Sequence, residues 1–115
     1  MTIISTRKHG EMNYATGTTT NSYANALDWN TIGLGNKTVV LYNSHASNNL
    51  HYKVLVRAEH DNGQDAEEVA ETTLVAGGLA RIALNNCLAR VKVQVKAAVS
   101  GSQATYQIDS IGLPP

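Results

Sequence analysis

The sequence contains no phenylalanine, one tryptophan and one cysteine among its 115 residues. Its two prolines are Pro114 and Pro115. Nine Lys+Arg are balanced by nine Asp+Glu, so the formal net charge is zero. The longest strongly apolar run is only Val39-Val40-Leu41-Tyr42. Each shortage excludes something. A lone cysteine cannot form an internal disulfide. A chain without net charge has no bulk electrostatic reason to bind nucleic acid or anionic lipid. A run that short cannot span a bilayer, which takes roughly 20 apolar residues. The stretch Met1-Thr2-Ile3-Ile4-Ser5-Thr6-Arg7-Lys8 lacks the apolar core and small-residue cleavage site of a secretory signal, so synthesis in the cytoplasm is expected.

What is present is one domain's worth of small apolar residues. Hydrophobic residues make up 43% of the chain, too many for a disordered one, and the bulky ones are mostly Val, Leu and Ile padded with Ala. A domain of this size buries roughly 60–70% of its unfolded surface. With few aromatics each residue contributes little burial, so added stability from partner contacts is expected. That points to a component of an oligomer or assembly.

Residues 1–25 differ from the rest. Ile3-Ile4 and the basic Arg7-Lys8-His9 are followed by Tyr14-Ala15-Thr16-Gly17-Thr18-Thr19-Thr20-Asn21-Ser22-Tyr23, which holds no Val, Ile, Leu or Met. Threonine's β-branching favours extended backbone, so this segment reads as an extended arm or edge strand. From residue 26 onward the pattern tightens into a body spanning 26–115. Ala26–Trp29 and Ile32–Gly35 lead to a strand over Lys37–Asn43. In Leu50–Glu59, Tyr52, Val54, Val56 and Ala58 share one face while His51, Lys53, Arg57 and Glu59 share the other. Asn62-Gly63 marks a hairpin turn. Ala66–Val75 begins with helix formers, but Thr72-Thr73-Leu74-Val75 and the following Gly77-Gly78 favour strand. Leu79–Leu84 is a short strand. The clearest alternation sets Val91, Val93, Val95, Ala97 and Val99 against Arg90, Lys92, Gln94, Lys96 and Ala98, a sorting no helix produces. Ser100-Gly101-Ser102 reads as the turn of a last hairpin with Ala104–Ile111, in which Tyr106 and Ile108 share a face. The spacing predicts an all-β antiparallel sandwich, jelly-roll or Ig-like, with an extended N-terminal arm.

No motif for catalysis, metal or cofactor stands out. Cys87 has no cysteine partner and reads as a small buried hydrophobe. His9, His45, His51 and His60 lack the spacing of a zinc motif. Asp61-Asn62-Gly63-Gln64-Asp65 lacks the alternating ligands and closing Glu of a calcium loop. Gly33-Leu34-Gly35 and Gly77-Gly78 are turns without the remainder of a nucleotide fingerprint. Asn36-Lys37-Thr38 matches a glycosylation acceptor, which is meaningful only on a secretory route. Arg90, Lys92 and Lys96 form a basic stripe, expected to face the Glu-rich segment 67–71 across strands. Trp29, with Tyr23 and Tyr42, is either core or a sugar-stacking platform.

Several pieces together resemble small tailed-phage proteins encoded among head and virion genes. They are Tyr14–Thr18 (YATGT), Tyr23–Asp28 (YANALD), Leu50–Val56 (LHYKVLV), Val69–Leu74 (VAETTL) and Val91–Gly101 (VKVQVKAAVSG). The resemblance implies a β-sandwich virion component, made in the host cytoplasm, and specifically a decoration or cement protein on a capsid. It carries over no functional residues, because these motifs are structural. The expectation is therefore a non-enzymatic protein that binds capsid or other virion proteins, as a homo-oligomer and specifically a trimer. It would need no cofactor, nucleic acid or membrane. Ile3, Ile4, Arg7, Lys8, Tyr14 and Tyr23 of the arm would carry partner binding by strand addition. The alternative is a carbohydrate-binding or adhesive module stacking glycans on Trp29 and Tyr42.

Overall fold

A computed structural model describes residues 10–57, 64–85 and 88–114. It contains eight strands: β1 (Glu11–Thr18), β2 (Ala24–Asn30), β3 (Lys37–Asn43), β4 (Leu50–Arg57), β5 (Ala66–Leu74), β6 (Leu79–Leu84), β7 (Arg90–Ala97) and β8 (Thr105–Gly112). They form two four-stranded antiparallel sheets, here called A and B. Sheet A has the order β1-β8-β3-β6 and sheet B the order β2-β7-β4-β5. The two expected sandwich types are thereby resolved, because two interlocked Greek keys in this order make a jelly roll.

Alternation builds the core. In β4, Leu50, Tyr52, Val54 and Val56 point inward; in β7, Val91, Val93, Val95 and Ala97 do so. These rows pair directly, Val54 with Val93 and Tyr52 with Val95. Sheet A closes over them with Val39 and Leu41 of β3, Ile108 of β8, and Ile82 and Leu84 of β6. The residues that favoured a helix at the start of 66–75 instead form β5, because its Val69 and Leu74 seat against the core from the edge of sheet B.

Within the 1–25 segment, β1 pairs along its whole length with β8, Glu11 opposite Gly112 through Thr18 opposite Thr105. Ala24 and Asn25 already belong to β2. Residues 1–9, which include Ile3, Ile4, Arg7, Lys8 and His9, lie outside the described residues. So do Ala58, the Asn62-Gly63 turn with His60, and Cys87.

The last hairpin is corrected. β7 belongs to sheet B and β8 to sheet A, so the 98–104 connection crosses the sandwich instead of folding back within one sheet. A local turn is indeed present, closed by the Ser102 amide donating to the Val99 carbonyl at 2.9 Å, with Gly101 at φ +86°. Turn chemistry is the same in either case. The inner faces of the flanking strands decide which layer each joins. Val99 extends the alternation in sequence, yet it has left the ladder and is exposed.

Polar residues seal the ends of the core. The inward row of β3 reads Lys37, Val39, Leu41, Asn43, so its two ends are polar and all four side chains are buried. Lys37 donates to the carbonyls of Gly35, at 2.5 Å, and Leu34. Asn43 Nδ2 donates to the carbonyls of Asn48, at 2.9 Å, and Leu74, at 3.0 Å, while its Oδ1 accepts from the His45 amide at 3.0 Å. This one side chain ties the end of β3 to the end of β5 in the opposite sheet. At the other end Trp29 of β2 crosses the sandwich to Gly112 of β8, where an added Cβ would lie 3.0 Å from the indole ring and 2.7 Å from Leu34. Removing the Asn43 amide orphans buried backbone groups. Asn43→Ala is therefore expected to lower unfolding free energy by about 2–3 kcal/mol, read as a lower urea midpoint at unchanged slope.

Candidate interaction surfaces

The two outer faces of the sandwich are chemically unlike. The outer face of sheet B carries an electrostatic network, although Glu67 and Glu68 of β5 stay outside it and the buried His51 Nδ1 has no hydrogen-bond partner among the described residues. Tyr23, just before β2, lays its ring under two ammonium groups, with Lys53 Nζ at 4.4 Å and Lys96 Nζ at 4.9 Å from its centroid. Its hydroxyl donates to Glu71 Oε1 at 2.5 Å. The same carboxylate lies 3.5 Å from Lys96 Nζ and 3.7 Å from His51 Nδ1. Further along, Asp65 accepts from Arg57 at 2.6 Å and from Lys92 at 3.2 Å, and Arg90 meets Asp28 at 2.7 Å. The basic stripe therefore meets the Glu-rich segment through Lys96, while Lys92 and Arg90 pair with Asp65 and Asp28. Both edges of this sheet are also irregular. β2 carries a register shift between Asn25 and Leu27, and β5 is opposed to β4 with shifts on either side of Val54. Bulges and charged residues on edge strands discourage further pairing.

These charges set the protonation behaviour. The Tyr23 hydroxyl bond, then Lys96, hold the Glu71 carboxyl below its ordinary value. The Arg57 hydrogen bond, then Lys92, do the same for Asp65. Burial of the ring, reinforced by Glu71, raises Tyr23 above the usual phenol range.

The outer face of sheet A carries a single acid and a single base, Asp109 and Arg81, among apolar and uncharged polar side chains. The registers place its outward residues in three rows across β1, β8, β3 and β6. One row is Thr16, Gln107, Tyr42 and Leu79; the next is Tyr14, Asp109, Val40 and Arg81; the last is Met12, Ile111, Thr38 and Ala83. Met12 is 80% exposed, Tyr14 and Leu79 each 63%, and Ile111 44%. A shallow depression of about 290 Å³ lies between Met12, Val40, Asp109 and Ile111. Both edges of this sheet run in unbroken register, and β1 contains neither proline nor lysine.

The tyrosines assigned to the arm are separated by this arrangement. Tyr14 stands on the outer face of sheet A, whereas Tyr23 is locked into the network on sheet B. Tyr42 is half-buried on the sheet A face beside Leu79. The assignment of Trp29 to glycan stacking is corrected: the ring is 4% exposed, packs in the core, and donates its indole N–H to Glu11 at 2.9 Å. It offers no open face to a sugar. Met12, Leu79, Arg81, Asp109 and Ile111 were not singled out from sequence. They become one surface only because β8 inserts between β1 and β3, a pairing no local pattern announces. Among the described residues no three His, Cys, Asp or Glu side chains are grouped to hold a metal ion.

No protein-family model matches the chain, and no curated protein matches it. Solved structures do. PirA aligns with TM-score 0.63 at 12% identity, over 83% of this chain and 90% of its own. The protein of Bacillus endospore appendages, which form disulfide-linked pili, aligns with TM-score 0.55 at 8% identity over 100% of both chains. The VP2 subviral particle of infectious bursal disease virus aligns with TM-score 0.50 at 6% identity, over 94% of this chain and 33% of that one. At such identities the likeness shows the jelly-roll fold.

The charge network predicts stability lost at both pH extremes. Glu71 and Asp65 bind protons less readily folded than unfolded. Their contribution is complete above about pH 4–5, near the unfolded values, and is lost as pH falls further. Tyr23 works the opposite way: its folded value is raised, so its contribution is complete below about pH 10 and is lost as pH rises beyond that. Melting temperature against pH should therefore show a shallower acid decline in Glu71→Gln and a shallower alkaline decline in Tyr23→Phe than in the parent chain.

Proposed function

We propose that this chain is a non-enzymatic virion structural protein, and in its specific form a decoration protein that stabilises a phage head by binding capsid subunits. The observation that carries this reading is the contrast between the two outer faces. Sheet B pairs Arg57, Arg90, Lys92 and Lys96 with its own carboxylates, while sheet A leaves Met12, Tyr14, Leu79 and Ile111 in water on a regular slab, with Asp109 and Arg81 beside them unpaired among the described residues. Exposed apolar surface of that kind marks a protein contact. The resemblance of five segments to tailed-phage virion proteins adds direction, as does a fold shared with pilus and viral particle proteins.

The mechanism is mechanical. A rigid sandwich with a stiff core needs no moving part, and repeated sites on a lattice raise affinity by avidity even when each contact is weak. β1 is part of sheet A, so strand addition by the N-terminal segment would fall to residues preceding Glu11. Any further partner contact by Ile3, Ile4, Arg7 and Lys8 is tested by a chain lacking residues 1–9, which keeps β1 intact.

Antiserum raised against the purified chain should label intact particles of the phage that encodes it, seen by electron microscopy with gold. Label spread over the head is the expected result. Label confined to neck or tail would remove the decoration role but keep the virion one, and unlabelled particles would overturn both.

A further inference from the structure

We propose that the outer face of sheet A is a two-fold interface with a second copy of this chain, in which Arg81 of each protomer meets Asp109 of the other. This rests on reading the chain as an assembly protein and adds a symmetry to it: the pair covers β8, β3 and β6, and leaves Met12 and Tyr14 of the edge strand β1 outside it for a different protein contact. It replaces the expected trimer with a pair.

The argument starts from the middle row of the face. Asp109 and Arg81 flank Val40 on either side, each one strand away, through the pairs Val40–Asp109 and Val40–Arg81. Both side chains are exposed, and neither has a hydrogen-bond or ion-pair partner among the described residues. A two-fold axis lying in the contact plane along β3 exchanges the two sides. The partner's β8 then stands over this copy's β6, and the partner's β6 over this copy's β8. Arg81 meets an Asp109 and Asp109 meets an Arg81, so one surface supplies both halves of two ion pairs. Isologous packing demands this self-complementarity.

The rows on either side fit the same operation. Ile111, large, falls opposite Ala83, small. Leu79 falls opposite Gln107. Val40, Thr38 and Tyr42 lie along the axis and meet their own copies. The depression bounded by Met12, Val40, Asp109 and Ile111 gives the incoming arginine a recess with an apolar wall for its stem and a carboxylate for its head. Strand spacing and rise give the three overlapping strands a face on the order of 350 Å² per copy. That is less than half the ~800 Å² per partner of a standard interface, so the pair should be reversible and concentration-dependent.

The test is sedimentation velocity of the full chain across a concentration series into the high micromolar range. The parent chain should pass from monomer to dimer. Arg81→Asp places two carboxylates opposite each other at both contacts, and Asp109→Arg places two guanidiniums there. Each variant alone should dimerise roughly tenfold or more weakly. An equimolar mixture of the two should recover parental association, since each then offers what the other lacks. Rescue in trans cannot come from a fault of folding. Circular dichroism of each variant checks the fold, and Val40→Thr, nearly isosteric, provides a further variant expected to weaken the pair without reversing charge. A chain monomeric throughout, or a dimer indifferent to the two substitutions and to their mixing, would overturn the proposal. Monomers whose antiserum labels phage particles would remove the interface and leave the virion role standing. Dimers whose antiserum labels no particle would do the reverse.

Discussion

Alternate residues of β3, β4, β7 and β8 seal a single apolar layer, and the remaining features of the molecule follow from that seal. Val54, Val91, Val93 and Val95 have essentially no contact with water, and Tyr52 and Val56 beside them are buried. Apolar burial of this kind is worth roughly 25 cal/mol per Å² removed from water. With every second side chain committed inward, the other half is released from any packing duty. The two outer faces could therefore diverge, one toward a lattice of ion pairs and the other toward a mixed slab with large apolar side chains in water. Lys37 and Asn43 show where the seal has to end. At the rim of the sandwich backbone carbonyls emerge from the ladders, and a side chain carrying donors is worth more there than another valine.

The parts of this fold legible in the sequence are those fixed by near neighbours. β4 and β7 could be read because their alternation is strict over several residues. The strand at 66–74 could be read because Thr72-Thr73 outweighed the glutamates before them. The location of Trp29 was not legible, because core and surface tryptophans look alike until Gly112 is found beneath the ring. The crossing of β7 to β8 was equally hidden. A short glycine turn can fold a chain back on its own sheet or carry it over to the other, and here the pairing of β8 with β1 and β3 tells which. The outer slab of sheet A was the least legible of all. Met12 and Ile111 stand almost a hundred positions apart in the chain and opposite one another in the sheet.

The fold itself does not choose among functions. Jelly rolls serve many unrelated tasks, and likeness at 6–12% identity carries the architecture alone. What distinguishes this molecule is the distribution of charge over an otherwise neutral chain. Lysines 53, 92 and 96 are all spent on one face, neutralised by their own neighbours or by the Tyr23 ring, and that face is left with little to offer a partner. A zero net charge arrived at this way differs from a thin scatter of ions. It concentrates solubility on one side and leaves adhesiveness on the other.

The insertion of β8 between β1 and β3 has a temporal consequence. The ribosome releases β1 first and β8 last of the eight strands, so sheet A cannot close until residues 105–112 have emerged. Until then the inner side of β3 and β6 has no completed layer, and β1 has no ladder to join. Nearly every strand pairing in the molecule spans a long stretch of chain, a topology associated with slow acquisition of the native state. A nascent polypeptide of this kind spends its synthesis with adhesive edges uncovered, and its final strand acts as the closing stave of the sheet.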